Sequence, residues 1–113
     1  MQAKDFQKAC DRTFTNIPSV NLTLQEEHLV RQAVGLTGEA GEVANYIKKG
    51  IFHRHGIDIN KIEEELGDVL WYIAEIATSL ELDLGVIMQK NVEKLLVRYP
   101  SGFTIEDSIN RKK

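Results

Sequence analysis

The chain has 113 residues, 42% of them hydrophobic and 27% charged, with 14 lysines and arginines against 17 aspartates and glutamates. That is one domain's length, so residues 1–113 are read as a single unit; a chain this short buries only about two-thirds of its unfolded surface, and pairing with a second copy would help it. The net charge of −3 excludes a general affinity for nucleic acid, the lone Cys10 excludes an internal disulfide, and the polar start with no long apolar run excludes a signal peptide or membrane span, which together suggest the cytoplasm.

The periodicity predicts an all-α chain of four helices. The first runs from about Ala3 to Phe14 and stops before Pro18. The second starts near Thr23, where Thr23 and Glu26 have capping-box spacing, and carries the apolar seam Leu29, Ala33, Leu36, Ala40, Val43, Ile47. Lys48 and Lys49 suit its negative end and Gly50 its stop. The third starts near Asn60, with Glu63 as capping partner, and carries Ile62, Leu66, Val69, Ile73, Ile76 and Leu80. Leu70, Ala74 and Ala77 widen its apolar face, so it is expected to be buried on two sides. Asp83 caps a fourth helix through about Tyr99, with Leu84, Ile87, Met88, Val92, Leu95 and Leu96 as its apolar set. Pro100 and Gly102 end it, and Phe103 and Ile105 in the tail are expected to dock while the basic end frays.

The ten residues from Gly38 to Ile47, GEAGEVANYI, return in altered form from Glu64 to Ile73 as EELGDVLWYI. Glu39 and Glu42 each precede a seam residue of the second helix, and Glu65 and Asp68 hold the same offset on the third. Side chains three apart on a helix lie about 5–6 Å apart at Cβ, so each motif puts two carboxylates together at the edge of a buried stripe. Four such charges at one interface repel one another on the scale of a small domain's whole stability, and protons or cations must offset that. An oxygen-only set, with no cysteine or histidine at ligand spacing, favours Mg²⁺ or Mn²⁺ over zinc. A ferritin-like di-iron centre would need histidine where Glu42 and Asp68 stand. One Glu-x-x-Glu alone reads as a solvated helix face; the duplication tells against that reading. So do Gly35, Gly38, Gly41 and Gly67, each costing about 1 kcal/mol against alanine inside a helix, unless tight helix packing explains them.

GEAGEV, then EELGDVLWY, then KNVEKLLVRYP resembles the MazG-like all-α nucleoside triphosphate pyrophosphohydrolases over roughly Leu29 to Phe103. The resemblance implies a four-helix bundle completed by dimerisation, found in the family as dimers or as tetramers of two dimers. It implies Mg²⁺-dependent hydrolysis of a nucleoside or deoxynucleoside triphosphate to the monophosphate and pyrophosphate, as nucleotide-pool house-cleaning. Glu39, Glu42, Glu65 and Asp68 would bind the metal and act in catalysis, with one of them orienting the attacking water. Tyr72, Asn91 and Lys94 match positions that meet the phosphates. The chemistry agrees, because phosphoanhydride cleavage needs positioning and charge neutralisation more than a covalent nucleophile.

Arg98 follows Asn91 and Lys94 at helical spacing, so the three form one stripe that either meets phosphate or faces solvent; Lys90 is a weaker candidate. The basic connection KKGIFHRHG could close over phosphates or merely join two helices; His53 and His55 carry no metal assignment. His28 reads as a surface residue. Trp71 reads as a dimer contact or a stacking platform for a base, and Phe6 and Phe14 as core or interface. The segment before the first motif, with Gln25, His28 and Gln32, has no clear base-recognition signature, so the substrate base stays open. The competing class is a non-catalytic helical protein-interaction module, in which the carboxylates would be exposed and replaceable by glutamine.

Overall fold

The computed structural model describes residues 1–14 and 21–111; Pro18 and the final Lys112 and Lys113 lie outside them. The described residues are all-α, with no β-strand. Helix α1 spans Ala3–Cys10 and tightens into a 3₁₀ turn over Asp11–Thr13. It is followed by α2, Leu24–Ile51; α3, Ile59–Ser79; α4, Leu84–Arg98; and a short α5, Ile105–Ile109.

The helix starts follow local chemistry. Thr23 accepts from Glu26 N–H at 3.1 Å while the Glu26 carboxylate accepts from Thr23 N–H at 3.0 Å, so the expected capping box is formed. That pair draws the Glu26 carboxyl below its usual range, chiefly through the backbone hydrogen bond from Thr23. Asp83 caps α4 by accepting from Val86 N–H at 3.1 Å. Helix α3, by contrast, starts before the expected Asn60. Its cap is Asp58, which accepts from Lys61 N–H at 3.1 Å.

Gly50 does not stop α2; the helix continues to Ile51. Gly50 is instead buried where the connecting loop folds back, and a Cβ there would lie 2.7 Å from Ile57 Cδ1 and 2.9 Å from the Gly56 carbonyl oxygen. The reversal is made beyond it, by Arg54 and Gly56 at φ of 57° and 83°. His55 N–H and Gly56 N–H then donate to the carbonyls of Lys49 and Gly50, each at 3.2 Å, which ties the loop to the last turn of α2.

Helices α2 and α3 form an antiparallel hairpin and are the one pair of long helices in extensive contact among the described residues. The seam between them holds Leu29, Gln32, Leu36, Val43, Ile62, Val69, Ile73 and Ile76, all buried or half-buried. Ala33 and Ala40, expected in that seam, are exposed, because the face turned to α3 passes through Gln32, Gly35 and Glu39 instead. Of the residues expected to widen the apolar face of α3, Ala77 is buried and Ala74 half-buried, while Leu70 is 59% exposed; Leu66, expected in the seam, is 48% exposed. Helix α4 has no extensive contact with α2 or α3, and Met88, Val92 and Leu96 stand open to solvent. Phe103 and Ile105 do not dock either, being 72% and 73% exposed; the Phe103 ring lies beside Tyr99, with centroids 5.4 Å apart. Phe6 and Phe14 are likewise exposed. The radius of gyration is 20.1 Å, where a compact chain of this length would have about 13 Å. A single chain thus supplies a two-helix spine and leaves much of its apolar surface without a partner.

Candidate functional site

The acidic motifs meet in the middle of the α2–α3 spine. A Glu39 oxygen from α2 and oxygens of Glu65 and Asp68 from α3 all lie within 4.8 Å of one another. The antiparallel crossing brings Glu39 of α2 level with Glu65 of α3, with Asp68 one helical step further along α3. Glu39 and Glu65 are half-buried and Asp68 is exposed. Glu42, expected as a fourth member, is exposed and falls outside this tight group, although its charge is still felt at Glu65.

The crowding has an electrostatic signature. The Glu65 carboxyl is held above its ordinary value, first by a hydrogen bond with the Glu39 carboxyl, then by desolvation, then by the charges of Glu39, Asp68 and Glu42. Three carboxylate oxygens this close form an oxygen-only donor set of the kind that could hold a hard divalent cation. A positive group, Lys61, stands on the same helix one turn before Glu65. Lys61 Nζ is 3.7 Å from Glu64 and 5.7 Å from the centre of the Tyr46 ring. Lys61 was not singled out in the sequence, although it precedes Glu64 by three residues and Glu65 by four on α3, the spacing that could have found it.

Tyr72 sits one turn beyond Asp68 and is half-buried, with its ring laid against α2 at Gly35. A Cβ on Gly35 would be 2.6 Å from the ring carbons Cε1 and Cζ, so this glycine serves close packing. Gly38, Gly41 and Gly67 differ: a Cβ on any of them would meet nothing within 4 Å. They leave bare helix backbone beside Glu39, Glu42 and Asp68, with room for another molecule.

Asn91 and Lys94 share a shallow hollow of about 280 Å³ on α4 with Ile87 and Lys90. No member of the acidic cluster lines it, and α4 does not pack on the spine. Arg98 ends the same helix and is half-buried. The chain by itself therefore does not bring the basic stripe of α4 to the carboxylates. The last turn of α2 from Lys48 and the loop that follows to Gly56 lie at the end of the spine beyond Tyr46, where Lys49 and His55 line a hollow of about 320 Å³ with Tyr46 and Asp58. The His53 and His55 rings stand edge to face at 5.9 Å.

At the opposite end, on the far side of Tyr72, lies a hollow of about 360 Å³ between α2 and α3. Its floor is the Gln32 carboxamide, 2% exposed, which donates to Glu75 Oε2 at 3.4 Å and accepts from Ser79 Oγ at 3.3 Å. Gln32 was seen in the sequence only as one of several polar residues before the first motif, and Glu75 and Ser79 were not singled out. They continue the stripe of Glu65, Asp68 and Tyr72 at steps of three and four, which is the signal that could have found them.

No described helix is long and apolar enough to cross a membrane. Comparison with known proteins gives a match between residues 26–103 and the model of the MazG nucleotide pyrophosphohydrolase domain, a stretch that spans α2, α3 and α4. The Gene 37 protein of Mycobacterium phage L5 is 37% identical over 89 residues, which covers 75% of this chain and 78% of the phage protein. No solved structure matches.

Proposed function

This chain belongs to the MazG nucleotide pyrophosphohydrolase family, and from that premise we propose that it hydrolyses a nucleoside or deoxynucleoside triphosphate to the monophosphate and pyrophosphate. The observation that carries the proposal is the cluster of Glu39, Glu65 and Asp68 oxygens within 4.8 Å inside the matched region. Glu39, Glu65 and Asp68 would hold Mg²⁺, or Mn²⁺ in its place, with Glu42 beside them. When bound, the ion would neutralise phosphate charge and favour attack by water on the triphosphate. The bond that breaks lies between the α- and β-phosphates. One of the four carboxylates orients the water and takes its proton, and pyrophosphate leaves. The bare backbone at Gly38, Gly41 and Gly67 lets the substrate approach the acids.

Tyr72, Asn91, Lys94 and Arg98 are the proposed substrate-binding residues. Because α4 stands off the spine, Asn91 and Lys94 reach the phosphates from a second copy, in a homodimer or a tetramer. The exposed Leu66, Leu70 and Leu96 support such an assembly, since a stable domain does not leave so much apolar side chain in water. Residues 1–113 act as one domain, in the cytoplasm, with no nucleic acid or membrane partner. The test is pyrophosphate release from a panel of nucleoside triphosphates with Mg²⁺ and with Mn²⁺. Glu39→Gln and Asp68→Asn should lower release at least a hundredfold while helical circular dichroism is kept. Release unchanged in both variants, or absent from every nucleotide with the native chain, would favour a helical interaction module instead.

A further inference from the structure

The spine has a direction. Along α2 and α3 the order is the basic loop, the acidic cluster, Tyr72 on Gly35, and then the hollow above Gln32. Asp68 and Glu75 are two helical turns apart, about 10 Å, which is the reach from the α-phosphate of a nucleotide across its sugar to the base edge. A triphosphate cut at the carboxylates would therefore extend its pyrophosphate towards the cationic loop and its nucleoside towards this hollow. At about 360 Å³ the hollow falls within the range of small-molecule sites. Its lining combines an aromatic ring with convergent polar groups. Trp71, 65% exposed, offers a face on which a base can stack.

Resting on the hydrolase reading above, we propose that this hollow is the nucleobase pocket and that Glu75 and Gln32 select a base with an exocyclic amine next to an unprotonated ring nitrogen, as in cytosine and adenine. Glu75 is half-buried and, when ionised, only accepts hydrogen bonds. It can take one from an amine but not from a carbonyl oxygen. Gln32 is oriented by its neighbours: its oxygen is engaged by Ser79 and one amide hydrogen by Glu75. The second amide hydrogen is left to donate to a ring nitrogen. Uracil and hypoxanthine reverse both requirements, with an oxygen in place of the amine and an N–H in place of the acceptor. Such a reversal leaves an acceptor against an acceptor in a partly desolvated place, which is worth about tenfold to a hundredfold in affinity.

Trp71 is the single tryptophan of the chain, so its fluorescence reports on the hollow alone. The test titrates the full chain, with Mg²⁺, with the monophosphates of deoxycytidine, deoxyuridine, deoxyadenosine and deoxyinosine, none of which can release pyrophosphate. The expected result is quenching of Trp71, with the cytosine and adenine nucleotides bound at least tenfold more tightly than their oxo counterparts. In Glu75→Gln, whose amide can present either a donor or an acceptor, the ratio should fall below about threefold. Equal affinities in the native chain, an unchanged ratio in the variant, or calorimetric binding that leaves Trp71 fluorescence untouched would each overturn the assignment. The discrimination is read without turnover, so a chain that selects cytosine but releases no pyrophosphate would refute the hydrolase reading and leave the pocket standing.

Discussion

Gly35, Gly38, Gly41 and Gly67 of the motif helices are sorted by their surroundings, and alanine substitution should separate them. At an exposed helix position, glycine to alanine gains about 1 kcal/mol of helix propensity. At Gly38, Gly41 and Gly67 a methyl group meets nothing within 4 Å, so no steric term opposes that gain. Each variant should be about 1 kcal/mol more stable, and the three together about 3 kcal/mol if they are independent. At Gly35 the methyl would stand 2.6 Å from two Tyr72 ring carbons, and overpacking of that kind costs about 1–3 kcal/mol. Set against the propensity gain, Gly35→Ala should lie between neutral and about 2 kcal/mol less stable, with Tyr72 displaced. Urea unfolding of each variant at one fixed protein concentration, followed by circular dichroism, measures these differences. The same methyl groups stand beside Glu39, Glu42 and Asp68, so pyrophosphate release should fall in Gly38→Ala, Gly41→Ala and Gly67→Ala even as stability rises. Loss of stability in any of those three would show that another backbone packs there, and would refute the reading of these positions as open to a ligand.

Acidity and metal should trade places at Glu65. Its folded-state pKa lies above the unfolded value near 4.5, so its contribution to stability is full below that value and is lost as pH rises through the raised one. In EDTA, the melting temperature of the native chain relative to Glu65→Gln should therefore fall from pH 5 to pH 8, and Mg²⁺ should restore it at pH 8 more than at pH 5; a difference that is flat with pH in EDTA would count against a raised Glu65 pKa. The unpartnered faces of α3 and α4 predict sedimentation at twice the 12.8 kDa chain mass or more, and Leu70→Glu should dissociate the assembly with loss of cooperative melting. A cooperative monomer at micromolar concentration would refute that.

What could be read from the sequence was whatever depends on neighbours a few residues apart. The capping box at Thr23, the cap at Asp83 and the meeting of Glu39, Glu65 and Asp68 all follow from helical spacing and the repeated motif. Features that depend on rotation about the helix axis were less legible. Ala33 and Ala40 look like seam residues by period, yet the helix turns Gln32 and Gly35 inward because Tyr72 and Ser79 of α3 fit there. Glu42 shares the motif of Glu39 but sits on the exposed side of that rotation. The place of α4 was not legible either: its apolar residues have helical period, yet Met88, Val92 and Leu96 stay exposed and the helix makes no extensive contact with α2 or α3.

The short connection between α2 and α3 carries a kinetic consequence. Among the described residues, nearly all long-range packing is made by two rods joined through a few residues, so the spine can collapse by a fast local event on the scale of microseconds to milliseconds. In the proposed assembly, every later step needs a second copy. Refolding should accordingly split into an early phase blind to protein concentration and a later one that accelerates with it, and dilution alone would strand the molecule as a bare pair of rods with its acids already in register.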